Sequence, residues 1–300
     1  MFIGDHNALP ITDTMENNQR GVNASIVLYK TDEREIVQIV RCLRTCPLID
    51  KIFLIDNSPQ PLLNGGALFD DAVEYIVRRD NPGYGTGHNI GLRKSIALGT
   101  AYHLVLNSDL VFDPNVIAEL HSFMEIHPRV AHVMPRILDE HGNLQYLCKL
   151  VPSPADLLLR RFLPRQMRRR ALHNFEMRWS GYDRPMFVPY LSGCFMFLRT
   201  DALGQVGLFD ERFFMYPEDI DLTRRLAAKF ATAYYPRVHV IHRHGAASQK
   251  SLRMFIVHAL NIVKYFNKWG WLHDGERRRI NALALSQKKN ANCDFLGDQL

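Results

Sequence analysis

A chain of 300 residues, 47% of them hydrophobic, has material for one large packed domain or two smaller ones. Its five cysteines (Cys42, Cys46, Cys148, Cys194 and Cys293) lack the spacing of a disulfide framework or a zinc site, which excludes a disulfide scaffold and points to a reduced, intracellular protein. The formal charge of +6 is local: between Val151 and Pro185 eight arginines (Arg160, Arg161, Arg165, Arg168, Arg169, Arg170, Arg178, Arg184) meet three acids (Asp156, Glu176, Asp183), a net of +5, so a basic patch faces an anionic partner or surface.

The first twenty residues have no charged start followed by an apolar core, so no signal peptide is expected, and residues 1–21 read as a flexible leader. Apolar runs at Asn23–Tyr29, Lys51–Asp56 and Ala72–Arg78 predict buried strands. Between the first two, Ile36, Ile39, Val40 and Leu43 recur at helical spacing, and Cys42 and Cys46 share one helix face. Asn81–Gly91 is a glycine-rich loop opening a helix that runs to about Ala101. A strand follows at Tyr102–Asp109, an amphipathic helix at Pro114–His127 and a strand at Ala131–Leu138, with Asp113 as the helix cap. This alternation predicts an α/β fold with a mostly parallel sheet. Residues 151–185 are basic, Pro-punctuated and irregular. Order resumes with a strand at Tyr190–Arg199, helices at Thr200–Gly207 and Pro217–Phe230, and a last strand at Thr232–His242. Ser251–Asn281 reads as helices with an apolar stripe of Phe255, Ile256, Ala259, Ile262, Val263 and Phe266, flanked by Lys264, Lys268 and Trp269. The longest apolar stretch, from Phe187, is broken by Pro189, Ser192 and Gly193, too short to cross a bilayer.

Acidic residues recur at the ends of these elements, where open α/β sheets bind ligands. Asp56 ends a strand and can accept from a nucleobase N–H or a ribose hydroxyl, or turn the chain as an Asx residue. The glycines at 83, 85, 87 and 91 let backbone approach a ligand, and the helix behind them offers N–H groups to phosphate. Gly85, Gly87 and Gly91 are spaced one residue too long for a dinucleotide fingerprint, and His88 or Asn89 can serve as the helix cap. Asp109 can ligate Mg²⁺ or Mn²⁺ that also holds a diphosphate. Glu218, Asp219 and Asp221 crowd a first helical turn behind the aromatic approach Phe213–Tyr216, a placement that suits either the helix dipole or a functional pocket. Asp221 and Arg225 form an i,i+4 pair. His239, His242 and His244 crowd one strand end; zinc is not expected without more ligands, His242 can join a carboxylate on Mn²⁺, and His239 reads as a core histidine.

Taken in order, Ser25–Lys30, Asp56–Ser58, Asn81–Gly91, Asn107–Asp109, Ser192–Arg199, Gly207–Leu226 and His242–Gly245 resemble the family 2 glycosyltransferases, most closely their bacterial rhamnosyltransferase-like branch, over roughly residues 22–270. The resemblance implies a GT-A fold, with a catalytic domain at 22–248 (a nucleotide-binding half at 22–135 and an acceptor-binding half at 136–248 holding the basic insert 151–185) and a C-terminal helical region at 249–300. It implies inverting transfer of a sugar, a deoxyhexose such as rhamnose, from a dTDP- or UDP-linked donor. By position, Asp219 would be the base and Glu218 would shape acceptor or base. Asp56, Asn57, Asn81, Gly85, Asn89 and Asn107 would hold the donor, and Asp109 and His242 a Mn²⁺ or Mg²⁺ ion. The metal motif here is Asn-Ser-Asp in place of a paired-aspartate form. The expected acceptor is a growing, lipid-linked surface glycan. The expected location is cytoplasmic, at the anionic inner face of the cytoplasmic membrane, with no nucleic-acid partner. The rival readings are an NAD-dependent oxidoreductase and a non-catalytic membrane-bound protein of the same fold.

Overall fold

The structure is a computed structural model that describes residues 21–63, 68, 70–159, 163–243 and 252–288. The leader up to residue 20, Arg160, Arg161, His244 and Cys293 therefore lie outside the described residues.

The chain opens with β1 (Val22–Leu28), α1 (Glu33–Arg44), β2 (Ile49–Asp56) and β3 (Val73–Val77). Then come α2 (Tyr84–Ala97), β4 (Tyr102–Leu106), β5 (Leu110–Val111), α3 (Asn115–Ile126) and β6 (Val130–Leu138). After β7 (Cys148–Lys149) and α4 (Arg165–Phe175) come β8 (Met186–Phe187), β9 (Tyr190–Leu191), β10 (Phe195–Arg199) and α5 (Thr200–Val206). The chain ends with α6 (Glu218–Lys229), β11 (Ala231–His242), α7 (Leu252–Trp269) and α8 (Gly275–Ser286). The main sheet has the order β3-β2-β1-β4-β10-β6-β11-β5, with β8 also on β11, while β7 and β9 form a separate pair. The α/β class expected from the sequence is what the chain adopts. The sheet is parallel from β3 to β4 and mixed beyond, because β10 runs against both of its neighbours. The start of β10 consequently meets the end of β4, where the Asn107 N–H donates to the Cys194 carbonyl at 3.0 Å.

Side-chain alternation divides the core in two. Tyr102, Leu104 and Leu106 of β4 join Ile36, Ile39, Val40 and Leu43 of α1 and Ile117, Leu120 and Met124 of α3 on one face. Val105, on the other, joins Leu92 of α2, Leu203 of α5 and Leu222 and Leu226 of α6. Asp32 caps α1 by accepting from Arg34 N at 2.8 Å, and Asp113 accepts from Asn115 N at 2.8 Å at the start of α3.

Three expectations change. Residues 151–185 are not irregular throughout: a π-turn at Ala155–Leu159, α4, and a 3₁₀ turn at Arg178–Ser180 order them. Phe175 is the buried residue of α4, so its arginine-rich face left no apolar period to read. His239 is exposed, because β11 slips register against β6 between Tyr235 and His239. The C-terminal stripe splits: Ile262 and Phe266 pack with Tyr190, Phe213 and Ile220, while Phe255, Ile256, Leu260 and Val263 face outward. Lys268 points inward to Asp210 (2.8 Å) and Asp221 (2.6 Å), while the exposed Lys264 reaches Arg212 O (2.9 Å).

Buried charge locks α6 to the C-terminal helices. Arg224 forks onto Asp274 at 2.8 and 2.5 Å, reaches Glu276 at 3.2 Å and lies 3.9 Å from the Trp269 ring centroid. Asp221, fully buried, takes Arg225 at 2.9 Å and Trp269 Nε1 at 2.8 Å. No helix among the described residues is long and apolar enough to cross a membrane.

Candidate active site

The first turn of α6 carries the paired carboxyls. Asp219 Oδ1 accepts from the Ile220 N–H at 2.8 Å; Oδ2 accepts from the Gly193 N–H at 3.1 Å and the Tyr190 hydroxyl at 3.3 Å. Burial raises its pKa, and these donors together with the Lys149 ammonium act in the opposite sense. Glu218 has weaker support, from backbone hydrogen bonds alone. It is 5% exposed, its Oε2 has no hydrogen-bond partner, and burial followed by the Asp219 charge pushes it up to about 8. Glu218 is thus the harder of the two to ionise, and Asp219 is the better stabilised anion. Such a split assigns roles within a carboxyl pair. Tyr216, two residues before this turn, sits at φ 61, a strained conformation worth about 1–3 kcal/mol that sites often store.

Asp109 and His242 meet at the ends of β4 and β11, with His242 Nε2 3.4 Å from Asp109 Oδ1. The imidazole is oriented from behind: Nδ1 lies 3.2 Å from Gln145 Oε1, and Gln145 Nε2 donates to the His242 carbonyl at 3.2 Å. Burial opposes charging of this ring, but hydrogen bonds to Asp109 and Cys194 outweigh it and push the imidazole up to about 10. Asp109 Oδ1 is buried, and the His242 ring is the group that faces it. A carboxylate beside an imidazole oriented from its far nitrogen is a donor pair that a divalent cation can take in exchange for the ring proton. No group of three His, Cys, Asp or Glu among the described residues could hold a metal ion, so a cation here needs ligand oxygens to complete its shell. Glu35 of α1 also faces this corner; burial and then the Asp109 charge raise its pKa.

A chain of contacts joins the two corners. The Tyr84 hydroxyl has its one proton within reach of the Gly193 carbonyl at 2.8 Å and Asn107 Oδ1 at 3.0 Å, and Asn107 Nδ2 lies 3.4 Å from His242 Nε2. Asn107 therefore bridges the Asp219 corner and the Asp109–His242 corner. Asn57 reaches the same end of the sheet, where its Nδ2 donates to the Gly83 carbonyl at 3.2 Å and its Oδ1 is buried without a partner. Asp56 is buried in an Asx turn: Oδ1 accepts from Ser58 N at 2.9 Å, and Oδ2 from Leu62 N at 2.8 Å and from the Tyr75 hydroxyl.

The glycine loop is built for packing. Gly83 has φ +98, and a Cβ there would stand 2.2 Å from the Phe214 carbonyl oxygen. A Cβ at Gly85 would meet Phe209 at 2.9 Å and Glu218 at 3.4 Å, and one at Gly87 would meet Val27 at 2.7 Å. These glycines seat α2 on β1 and α6. Asn81 sits at φ 41, its N–H on the Arg78 carbonyl. Gly83 occupies the cap position of α2, so neither His88 nor Asn89 caps the helix. The Asn89 amide is spent on Phe209 N and O and Glu211 Oε1, at 2.9–3.0 Å. Tyr84, Gln145, Lys149, Tyr190 and Gly193 also line this region. The Gly193–Cys194 turn before β10 is the local signal in the sequence that points to them.

Known proteins share this architecture. A family model described as Glycosyltransferase like family 2 matches residues 64–277. The N-acetylglucosaminyl-diphospho-decaprenol L-rhamnosyltransferase of Mycobacterium tuberculosis is 33% identical over 169 residues, covering 51% of this chain and 54% of that protein. A low-salt glycan biosynthesis hexosyltransferase of Haloferax volcanii is 30% identical over 205 residues, 67% of this chain and 59% of that protein. The chain thus spans about half the length of the mycobacterial relative it matches. Among solved structures, GalNAc-T7 with UDP, GalNAc and Mn²⁺ superposes with a TM-score of 0.56 at 17% identity, over 93% of this chain and 52% of that one. TarS of S. aureus gives 0.53 at 13% identity, over 92% and 45%. At these identities the structural likeness speaks for the fold.

Proposed function

The chain belongs to Glycosyltransferase like family 2, and from that premise we propose that it moves a sugar from a nucleoside-diphosphate donor to a hydroxyl of a glycan acceptor, with inversion. The observation that carries this is the hydrogen-bonded Asp219 carboxylate, joined through Gly193, Tyr84 and Asn107 to the Asp109–His242 pair. Asp219 takes the proton from the acceptor hydroxyl as its oxygen attacks the anomeric carbon. The bond from that carbon to the diphosphate breaks, and the nucleoside diphosphate leaves with the electron pair. General-base help of this kind is worth about 10²–10⁴-fold. A single displacement inverts the centre and calls for no covalent enzyme intermediate.

Asp109 and His242 would hold Mn²⁺ or Mg²⁺ with oxygens of the donor diphosphate completing the shell. A cation there offsets charge on the leaving diphosphate. Gln145 keeps the imidazole turned toward Asp109, and Asn107 fixes the spacing to the base. Asn57 Oδ1 is the unspent acceptor at the nucleoside end, beside Asp56.

A deoxyhexose such as rhamnose, on dTDP or UDP, is the donor this reading favours, in keeping with the mycobacterial relative's name. The acceptor is a lipid-linked glycan at the inner face of the cytoplasmic membrane. The exposed Phe255, Ile256, Leu260 and Val263 of α7 and the exposed Arg165, Arg168, Arg169 and Arg170 of α4 suit an anionic lipid surface. A panel of nucleotide sugars, assayed with and without Mn²⁺ against a lipid-diphosphate glycan, tests the proposal. Asp219→Asn should abolish transfer and keep donor binding. Stabilisation by NAD, with none by any nucleoside diphosphate, would revive the oxidoreductase reading.

A further inference from the structure

We propose that Lys149 is a positioning residue for this reaction, its ammonium holding the Asp219 carboxylate in the form that accepts a proton; the proposal rests on the transferase reading above. In the small two-stranded sheet, Lys149 of β7 pairs directly with Tyr190 of β9, and β9 packs on α6. Lys149 Nζ lies 5.4 Å from the Tyr190 ring centroid, and the hydroxyl of that ring lies 3.3 Å from Asp219 Oδ2. Cation, aromatic ring and carboxylate thus follow one another across three elements.

The surroundings of Asp219 explain the need for a cation. Among the described residues, Glu218 on its own helix, Tyr190 on β9 and Tyr84 on α2 feel the Asp219 charge, and none of them is positive. Burial favours the protonated acid, which cannot serve as a base. The Gly193 and Ile220 N–H groups and the Tyr190 hydroxyl orient the carboxylate but bring no net charge. Lys149 supplies one, and its register opposite Tyr190 fixes where the side chain starts. Removing an adjacent opposite charge makes a carboxylate easier to protonate. The base is then lost first at acid pH.

The test compares kcat/KM against pH for wild type, Lys149→Met and Lys149→Arg. The acid limb should move to higher pH in Lys149→Met, lowering the rate at pH 6 by about tenfold while pH 9 stays within about twofold, and Lys149→Arg should restore the profile. In parallel, ¹³C-carboxyl labelling of aspartate follows Asp219 itself, with its line assigned from Asp219→Asn. Its titration should move up in Lys149→Met whether or not the protein turns over. A titration and an acid limb that both stay in place overturn the proposal. So does a loss confined to the acceptor KM, which would make Lys149 an acceptor contact. Wild-type protein inactive with every donor overturns the transferase reading instead, and the carboxyl titration still decides whether the Lys149 charge acts on Asp219.

Discussion

Arg224 is the most exacting point at which to perturb this fold. It is 1% exposed and holds Asp274, itself 7% exposed, through two short charged hydrogen bonds. Arg224→Met keeps volume and some stacking on Trp269 but removes both bonds. Breaking one side of a buried pair costs about 3–5 kcal/mol, because the remaining charge is stranded. Here the cost belongs near the lower end, about 3 kcal/mol: Asp274 retains Arg277 Nε at 3.6 Å and the Arg277 N–H at 2.9 Å. The contact to Glu276, whose side chain is 39% exposed, adds at most about 1 kcal/mol. Urea unfolding of wild type, Arg224→Met, Asp274→Asn and the double variant measures this. The double variant should lose clearly less than the two single losses added together, since neutral Asn is no longer a stranded charge. A loss below about 1 kcal/mol in Arg224→Met, or simple additivity, would refute the reasoning.

The paired carboxyl gives a pH prediction. With its folded pKa raised to about 8, Glu218 holds a proton that the unfolded chain releases at lower pH, so this group's stabilising contribution is whole at acid pH and is lost as pH rises toward 8. Glu218→Gln removes that loss, and the stability of the variant relative to wild type should climb between pH 5 and 8 in thermal melts; a constant difference would count against a buried, protonated Glu218. Gly83→Ala combines φ +98 with a Cβ 2.2 Å from a carbonyl oxygen, and should cost several times the roughly 1 kcal/mol of an ordinary glycine replacement in denaturant titrations. Leu260→Asp, at an outward position on α7, should weaken flotation with anionic liposomes while leaving the melting temperature within a degree or two; unchanged flotation removes α7 from the membrane reading.

The helices and strands were legible because their apolar periods are strong: α1 buries the same Ile36, Ile39, Val40 and Leu43 that its spacing marks. The acidic stations could be placed at strand ends for the same reason. Hidden from a linear reading was everything set by contact across the sheet. The two halves of the site are joined by Tyr84 and Gly193, 109 positions apart, and no local pattern announces such a bond. The glycine loop misled in a specific way, since a glycine that admits a ligand and one that admits a neighbouring helix look alike until the neighbour is seen. Lys264 and Lys268 illustrate the same limit. On a helical wheel they flank an apolar stripe as surface cations would, yet Lys268 turns in to Asp210 and Asp221, and Lys264 is tied to the Arg212 carbonyl.

The place of β10 between β4 and β6 has a consequence for how the protein is made. Cutting the chain after residue 135 would split β6 itself, leave β4 with a bare edge and part the first piece of β6 from the strand that joins it to the rest. The halves cannot then be expressed apart and mixed as modules. On the ribosome, the sheet must wait with an open seam until residues 195–199 emerge, and β6 stays unmoored from β4 throughout that interval. Unpaired edges of this kind invite mispairing, so the yield of folded protein should depend on elongation speed and on chaperones that shield the gap.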